Sequence, residues 1–215
     1  DVTVKAREAV CDAPIIGAIY PKELENAKIE RIGAVPYSPS HLVNTAWDIG
    51  WGDSTAIWFW QEIAGEFRVI DYYETRGEAL THYLAHLKSK PYDYDTLWMP
   101  HDADNGQLST GKSIAELART NGFKVRIAPK LSVEDGINAS RQLLKRAMID
   151  AVKCKAGIEA LENYRWGWND RLDEPKREPV HDWSSHGSDA WRYMAVSTKE
   201  VKSKTSTLKY EPVPA

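Results

Sequence analysis

Three aspartates sit where a fold could gather them. Asp48 closes the strand-like run Leu42-Val43-Asn44-Thr45-Ala46-Trp47, and Gly50 and Gly52 follow it, leaving the backbone open to a close approach. Asp102 lies in Met99-Pro100-His101-Asp102-Ala103-Asp104, just past another short apolar run. Asp189 lies in Ser185-His186-Gly187-Ser188-Asp189-Ala190-Trp191-Arg192, on a helical pattern whose apolar positions are Ala190 and Met194. Carboxylates that converge repel one another unless a cation neutralises them, and hard oxygen ligands select Mg²⁺ or Mn²⁺ over zinc. Two such ions about 4 Å apart activate water and stabilise the leaving oxygen in phosphodiester hydrolysis, without a separate general base. Each aspartate alone reads as a turn or cap residue; three at element ends favour a metal centre.

Lesser candidates surround these three. Asp104 is an additional ligand candidate, although Asn105-Gly106 after it suggests a turn, as Ser54-Thr55 does after Asp53. Asp53 and Asp182 could orient the ligands, and His101 and His186, each close in sequence to a proposed ligand, could steer a carboxylate or assist proton transfer.

The elements that must position these residues follow from periodicity. After the strand to Asp48, Ala56 to Ile63 and Phe67 to Tyr73 are aromatic and β-branched runs joined by Ala64-Gly65-Glu66, which predicts a hairpin. Leu80, Tyr83, Leu84 and Leu87 take helical spacing up to Pro91. Thr96 to Met99 is a strand, Ser113 to Thr120 a helix, and Lys124 to Ala128 a strand. Val133 to Met148, Lys155 to Asn163 and His186 to Ser197 are expected helices. Three strands, then helices alternating with strands before a closing run of helices, predict an α/β fold with an antiparallel start and flanking helices. That order fits a ribonuclease H-like mixed sheet, and other α/β folds as well. Residues 1–40, with four prolines and no sustained period, are expected to be a linker or an extension packed on the main domain at 41–198, and 199–215 a mobile tail.

Composition narrows the function classes. With 42% hydrophobic and 27% charged residues in 215, the chain is globular and large enough for one substantial core. A net charge of −3 argues against coating nucleic acid by bulk charge, so any basic path must be local. Candidates for that path are Lys112, Lys130, Arg141, Lys145, Arg165 and Arg192, with Arg141 and Lys145 spaced to share a helix face. Trp166 and Trp168 could stack on DNA or bury a late loop; core packing is expected of most of the tryptophans. Cys11 and Cys154 belong to no metal or redox motif, which suits a reducing, cytoplasmic setting, and no apolar run approaches a membrane span. A chain that opens at Asp1 without methionine is expected to be part of something longer.

One motif points elsewhere. Gly106-Gln107-Leu108-Ser109-Thr110-Gly111-Lys112-Ser113 satisfies the Walker A pattern, which makes a P-loop ATPase the rival function. Six residues separate the preceding strand from Gly106, and Val125-Arg126-Ile127-Ala128 leads to Pro129-Lys130 rather than to an acid. The loop is therefore expected to offer Ser109, Thr110 or Lys112 to a DNA phosphate instead of ATP. A DNA-binding or assembly module without catalysis is a further alternative.

Taken in order, Trp47-Asp48-Ile49-Gly50 with Asp53 and an aromatic strand to Gln61, Pro100-His101-Asp102 with Gly111-Lys112-Ser113, Asp135-Gly136-Ile137 with Arg141, Tyr164-Arg165, and His181-Asp182-Trp183-Ser184-Ser185-His186 with Ser188-Asp189-Ala190-Trp191-Arg192-Tyr193 resemble the nuclease domain of the large terminase subunit of tailed bacteriophages over about residues 15–195. The resemblance implies a ribonuclease H-like endonuclease that cuts concatemeric viral DNA with two divalent metals during packaging. Asp48, Asp102 and Asp189 then match the acidic triad. The implied partners are double-stranded DNA, an ATPase domain of the full-length subunit, the small terminase subunit and the portal, in the host cytoplasm. Many relatives carry glutamate at the second acid, so the shorter Asp102 would leave part of the coordination to Asp104 or water. Resolvase-like and transposase-like enzymes of the same fold are the near competitors.

Overall fold

The computed structural model describes residues 17–50, 52–106, 111–169, 171 and 173–205. Its centre is a seven-stranded mixed sheet. The strands are β1 (Ile32–Gly33), β2 (Val43–Asp48), β3 (Ser54–Ile63), β4 (Glu66–Arg76), β5 (Tyr94–Met99), β6 (Lys124–Ile127) and β7 (Ala147–Asp150), arranged β1-β7-β4-β3-β2-β5-β6. β2, β3 and β4 pair antiparallel, as the hairpin signals predict, and the remaining pairings are parallel. The helices are α1 (Pro21–Glu30), α2 (Leu80–Ser89), α3 (Ile114–Thr120), α4 (Val133–Leu144), α5 (Lys155–Asn163) and α6 (Trp183–Thr205).

The period of two along each strand divides the core between the faces. In β3, Trp58 and Trp60 point to the face covered by α4, α5 and α6, while Ile57 and Phe59 point to the face covered by α2 and α3. In β2, Ala46 belongs to the first face and Trp47 to the second, so Asp48 projects on the side that α6 covers. Trp58, Trp98 and Trp191 are fully buried under the helices of the first face and Trp47 under those of the second, in line with the core role expected of most tryptophans. Trp168 and Trp183 stay about half exposed.

Four sequence expectations change. Residues 21–30 form α1, begun by Pro21 in its first turn and burying Leu24 and Ala27, and β1 runs beside β7 with Ile32 opposite Ile149. The stretch before residue 41 therefore supplies an edge strand of the sheet. The helix expected to reach Met148 ends at Leu144, and Ala147–Asp150 becomes β7, inserted between β1 and β4. Ala147 and Ile149 face the core two residues apart, too few positions to separate a strand from the end of a helix by period alone. The segment after α5 forms a separate hairpin, β8 (Trp166–Asn169) with β9 (Glu174–Pro179). Last, α6 starts three residues early and runs to Thr205, past the boundary expected at 198.

The Walker-like loop departs from a phosphate-binding loop at both ends. A 3-10 turn at His101–Asp104 separates β5 from Gly106, and Ser113 is buried as the N-cap of α3, accepting from the Glu116 N–H at 3.0 Å in a capping box. Residues 107–110, which include Ser109 and Thr110, lie outside the described residues, as does Cys11. Among the described residues no helix is long and apolar enough to cross a membrane.

Candidate metal centre

β2 and β5 are adjacent and parallel, with Ala46 opposite Trp98, so their carboxyl ends reach the same edge of the sheet. α6 crosses β2 and β3 on the first face and brings His186 and Asp189, three residues apart, to that edge. Its close approach depends on Gly187. The Gly187 carbonyl accepts from Trp58 Nε1 at 2.8 Å, and a Cβ there would lie 2.7 Å from the Tyr72 hydroxyl and 2.9 Å from the Ala160 Cβ.

The result is a partly buried charge network around two acids. His186, almost wholly buried, donates from Nδ1 to Asp48 Oδ2 at 3.4 Å and presents Nε2 to Asp53 Oδ2 at 3.3 Å. Asp189 accepts from the Tyr164 hydroxyl at 3.0 Å and pairs with an Arg192 guanidinium nitrogen at 2.9 Å. Asp48 is pushed up to about 6, first by burial and then by the Asp189 charge, against the lowering effect of His186. Burial also raises Asp189, opposed by Arg192 and Tyr164. The Asp48 hydrogen bond raises His186, helped by the charges of Asp53 and Glu74, so the imidazolium form is favoured despite burial. Asp53, half exposed, is held below the usual carboxylate range by His186, with Arg76 and His181 assisting.

The structure thus couples Asp48 to Asp189 through charge. Asp102 lies exposed on the 3-10 turn after β5, and among the described residues no three His, Cys, Asp or Glu side chains are arranged as a metal-holding group. Its charge nonetheless acts on the Tyr193 phenol together with those of Asp48 and Asp189. Asp104 turns to Arg119 at 3.6 Å, away from the ligand role considered for it. Asp182 caps α6, accepting from the Ser184 N–H at 2.9 Å and pairing with Arg165 at 2.8 Å. His101 is exposed; it lines a cavity with Lys130, Arg192 and Tyr193.

The basic residues separate by role. Arg165 is engaged by Asp182, and Arg192 by Asp189. Arg141 donates to the Ile19 carbonyl at 3.1 Å and lies 3.8 Å from Glu23, so it fastens the α1 segment to α4 instead of reaching into solvent. Lys112, Lys130 and Lys145 are exposed.

Three contributors escaped the sequence reading. Tyr164 was noticed only as part of a motif, yet its hydroxyl orients Asp189. Tyr193, one turn after Asp189, carried the helical spacing that could have marked it. Glu74 shares an inward strand face with its hydrogen-bond partner Tyr72, but only the β4-β3-β2 order and the crossing of α6 place it near His186.

The comparisons agree with this architecture. The large terminase of a thermophilic bacteriophage superimposes with a TM-score of 0.65 at 22% identity, over 85% of this chain and 45% of that one, so the chain spans under half of that relative. The large terminase nuclease of the thermophilic phage G20c, with bound magnesium, gives 0.60 at 15% identity over 86% and 99%. The large terminase nuclease domain of bacteriophage SPP1, with bound Mn, gives 0.54 at 17% over 74% and 86%. Among curated proteins the sequence search finds no match. The family model described as the terminase RNaseH-like domain matches residues 45–173, more than half of the chain, from within β2 to past the end of β8. The chain belongs to the terminase ribonuclease H-like domain family.

Proposed function

We propose that this domain is a metal-dependent endonuclease that hydrolyses double-stranded viral DNA during genome packaging. The observation that carries the reading is the pair Asp48 and Asp189, two half-buried carboxylates converging at the carboxyl edge of the sheet, where the Asp189 charge raises the affinity of Asp48 for a proton. Carboxylates stored this way are poised to exchange protons for a divalent cation. The donors are all hard oxygens, which fits Mg²⁺ or Mn²⁺, and the G20c and SPP1 nucleases hold magnesium and manganese. Asp48 and Asp189 would hold the metal, with Asp102 from the neighbouring strand end as the third acid of the proposal. A pair of ions there would supply Lewis-acid activation of the attacking water and stabilise the leaving oxygen.

The chain's own residues do the rest. His186 fixes the Asp48 carboxylate and offsets its charge in the metal-free state. Tyr164 and Arg192 hold Asp189 from two sides, so its orientation is set before a ligand arrives. An ATPase domain of a full-length subunit, a small terminase subunit and a portal are the proposed partners of the assembly.

The test is cutting of plasmid DNA in Mg²⁺ or Mn²⁺, with Asp48→Ala, Asp102→Ala and Asp189→Ala alongside the parent. Loss of cutting in all three supports the triad. An inert parent, or Asp48→Ala and Asp189→Ala variants that cut as well as it does, overturns the reading; a fully active Asp102→Ala removes only the third acid. Branched DNA and RNA–DNA hybrids as substrates separate this activity from resolvase-like and ribonuclease H chemistry.

A further inference from the structure

Beside Asp189, which Arg192 contacts, a cavity of about 180 Å³ opens between the turn after β5, the loop from β6 to α4, and α6. Three nitrogen-bearing side chains, His101, Lys130 and Arg192, line it together with Tyr193, and among the described residues no carboxylate does. That is notable in a chain whose net charge is negative and whose neighbouring site is acidic. Arg192 passes close over Gly136 of α4, where a Cβ would come within 2.9 Å of its Cδ. One terminal nitrogen serves Asp189, while its buried Nε has no acceptor in the protein. A buried guanidinium N–H without an acceptor is costly unless an outside oxygen satisfies it.

The cavity is below the roughly 300–1,000 Å³ of sites that enclose a drug-sized molecule, which suits a single anionic group rather than a whole nucleotide. Its walls adjoin the acids on both sides: Arg192 touches Asp189, and His101 immediately precedes Asp102. Larger space lies on the opposite face, about 450 Å³ among Leu80, Tyr83, Leu84, Ile114 and Leu117, but none of the three proposed acids lines it.

We propose that the cavity of Lys130, His101 and Arg192 seats a phosphodiester of the DNA strand, adjacent to the one that is cut. This deepens the endonuclease reading and rests on it for the identity of the ligand. Lys130 supplies an exposed point charge at the mouth, and Arg192 supplies directional N–H groups from the wall. The seat fixes the register of the strand without reading its sequence.

The experiment measures binding of a fluorescent duplex by anisotropy, with Ca²⁺ replacing Mg²⁺ to suspend cutting, across a range of salt. Lys130→Glu should weaken binding roughly tenfold and lower the slope of log affinity against log salt by about 0.9, the loss of one phosphate contact. Val133→Phe, which fills the cavity at no change of charge, should weaken binding severalfold. Lys124→Glu makes the same charge change at the amino end of β6, away from the cavity, and should stay within about twofold of the parent. Equal effects of Lys130→Glu and Lys124→Glu, or parent-like binding by Val133→Phe, would overturn the seat in favour of diffuse charge. Failure of the parent to cut in Mg²⁺ or Mn²⁺ sinks the nuclease reading separately, because the binding contrast is measured without cutting.

Discussion

Asp48 combines burial, a like-charged neighbour and a histidine partner, and the balance sets how the domain should respond to pH. Its folded value of about 6 lies above the ordinary 3.8, so the fold holds this proton more tightly than the unfolded chain does. The stabilisation from that proton is complete below about 3.8 and is lost as pH rises through about 6. Asp48→Asn should therefore melt at or above the parent at pH 8 in EDTA, with the difference shrinking at pH 5, as read by scanning calorimetry; a clearly lower melting temperature at pH 8 would contradict the argument. A metal needs the same carboxylate ionised, so Mn²⁺ affinity should fall as pH drops through 6, which isothermal titration can follow. Tyr164→Phe removes one bond to Asp189 while keeping the ring, and should cost roughly tenfold in Mn²⁺ affinity. Unchanged affinity would assign Tyr164 to packing alone.

At the scale of elements, the centre depends on how closely α6 lies on the sheet. Gly187 admits Tyr72 and Ala160 against the helix, and its carbonyl anchors the buried Trp58 indole. Gly187→Ala must push that helix outward, and should destabilise by about 1–3 kcal/mol, the usual range for overpacking. Urea unfolding followed by tryptophan fluorescence measures this. Because His186 and Asp189 travel with α6, the same variant should also weaken metal binding. A variant as stable as the parent would mean that α6 has slack there.

Across the whole molecule, the first described segment is part of the sheet rather than an appendage. Ile19, Tyr20, Leu24 and Ala27 are buried, Arg141 grips the Ile19 carbonyl, and β1 completes the sheet beside β7. Burying a large aliphatic side chain is worth about 1.5–3 kcal/mol, and a domain's net stability is only about 5–15 kcal/mol. A chain beginning at residue 41 should consequently lose the cooperative melt that the full chain shows by circular dichroism. A parent-like melt from residue 41 onward would restore the boundary that the prolines suggested.

The sequence by itself determined the order of the main elements and pointed to Asp48 and Asp189 as candidate acids. Asp48 was legible because a six-residue strand pattern ends on it, and Asp189 because it sits on a helix whose apolar positions are plain; both signals are local. The hairpin of β3 and β4 was legible for the same reason. Local pattern could not reach β7, whose two core-facing residues become a strand only by pairing with β4 on one side and β1 on the other. Nor could it reach the neighbourhood of the acids. That Glu74 stands near His186, that Arg141 and Arg165 are engaged by the protein itself, and that the charges of Asp48, Asp102 and Asp189 all bear on Tyr193 are consequences of strand order and of where α6 crosses. Charge and burial at a site are set by residues distant in the chain, so the chemistry of each candidate was decided by the tertiary structure, although its identity was written in the sequence.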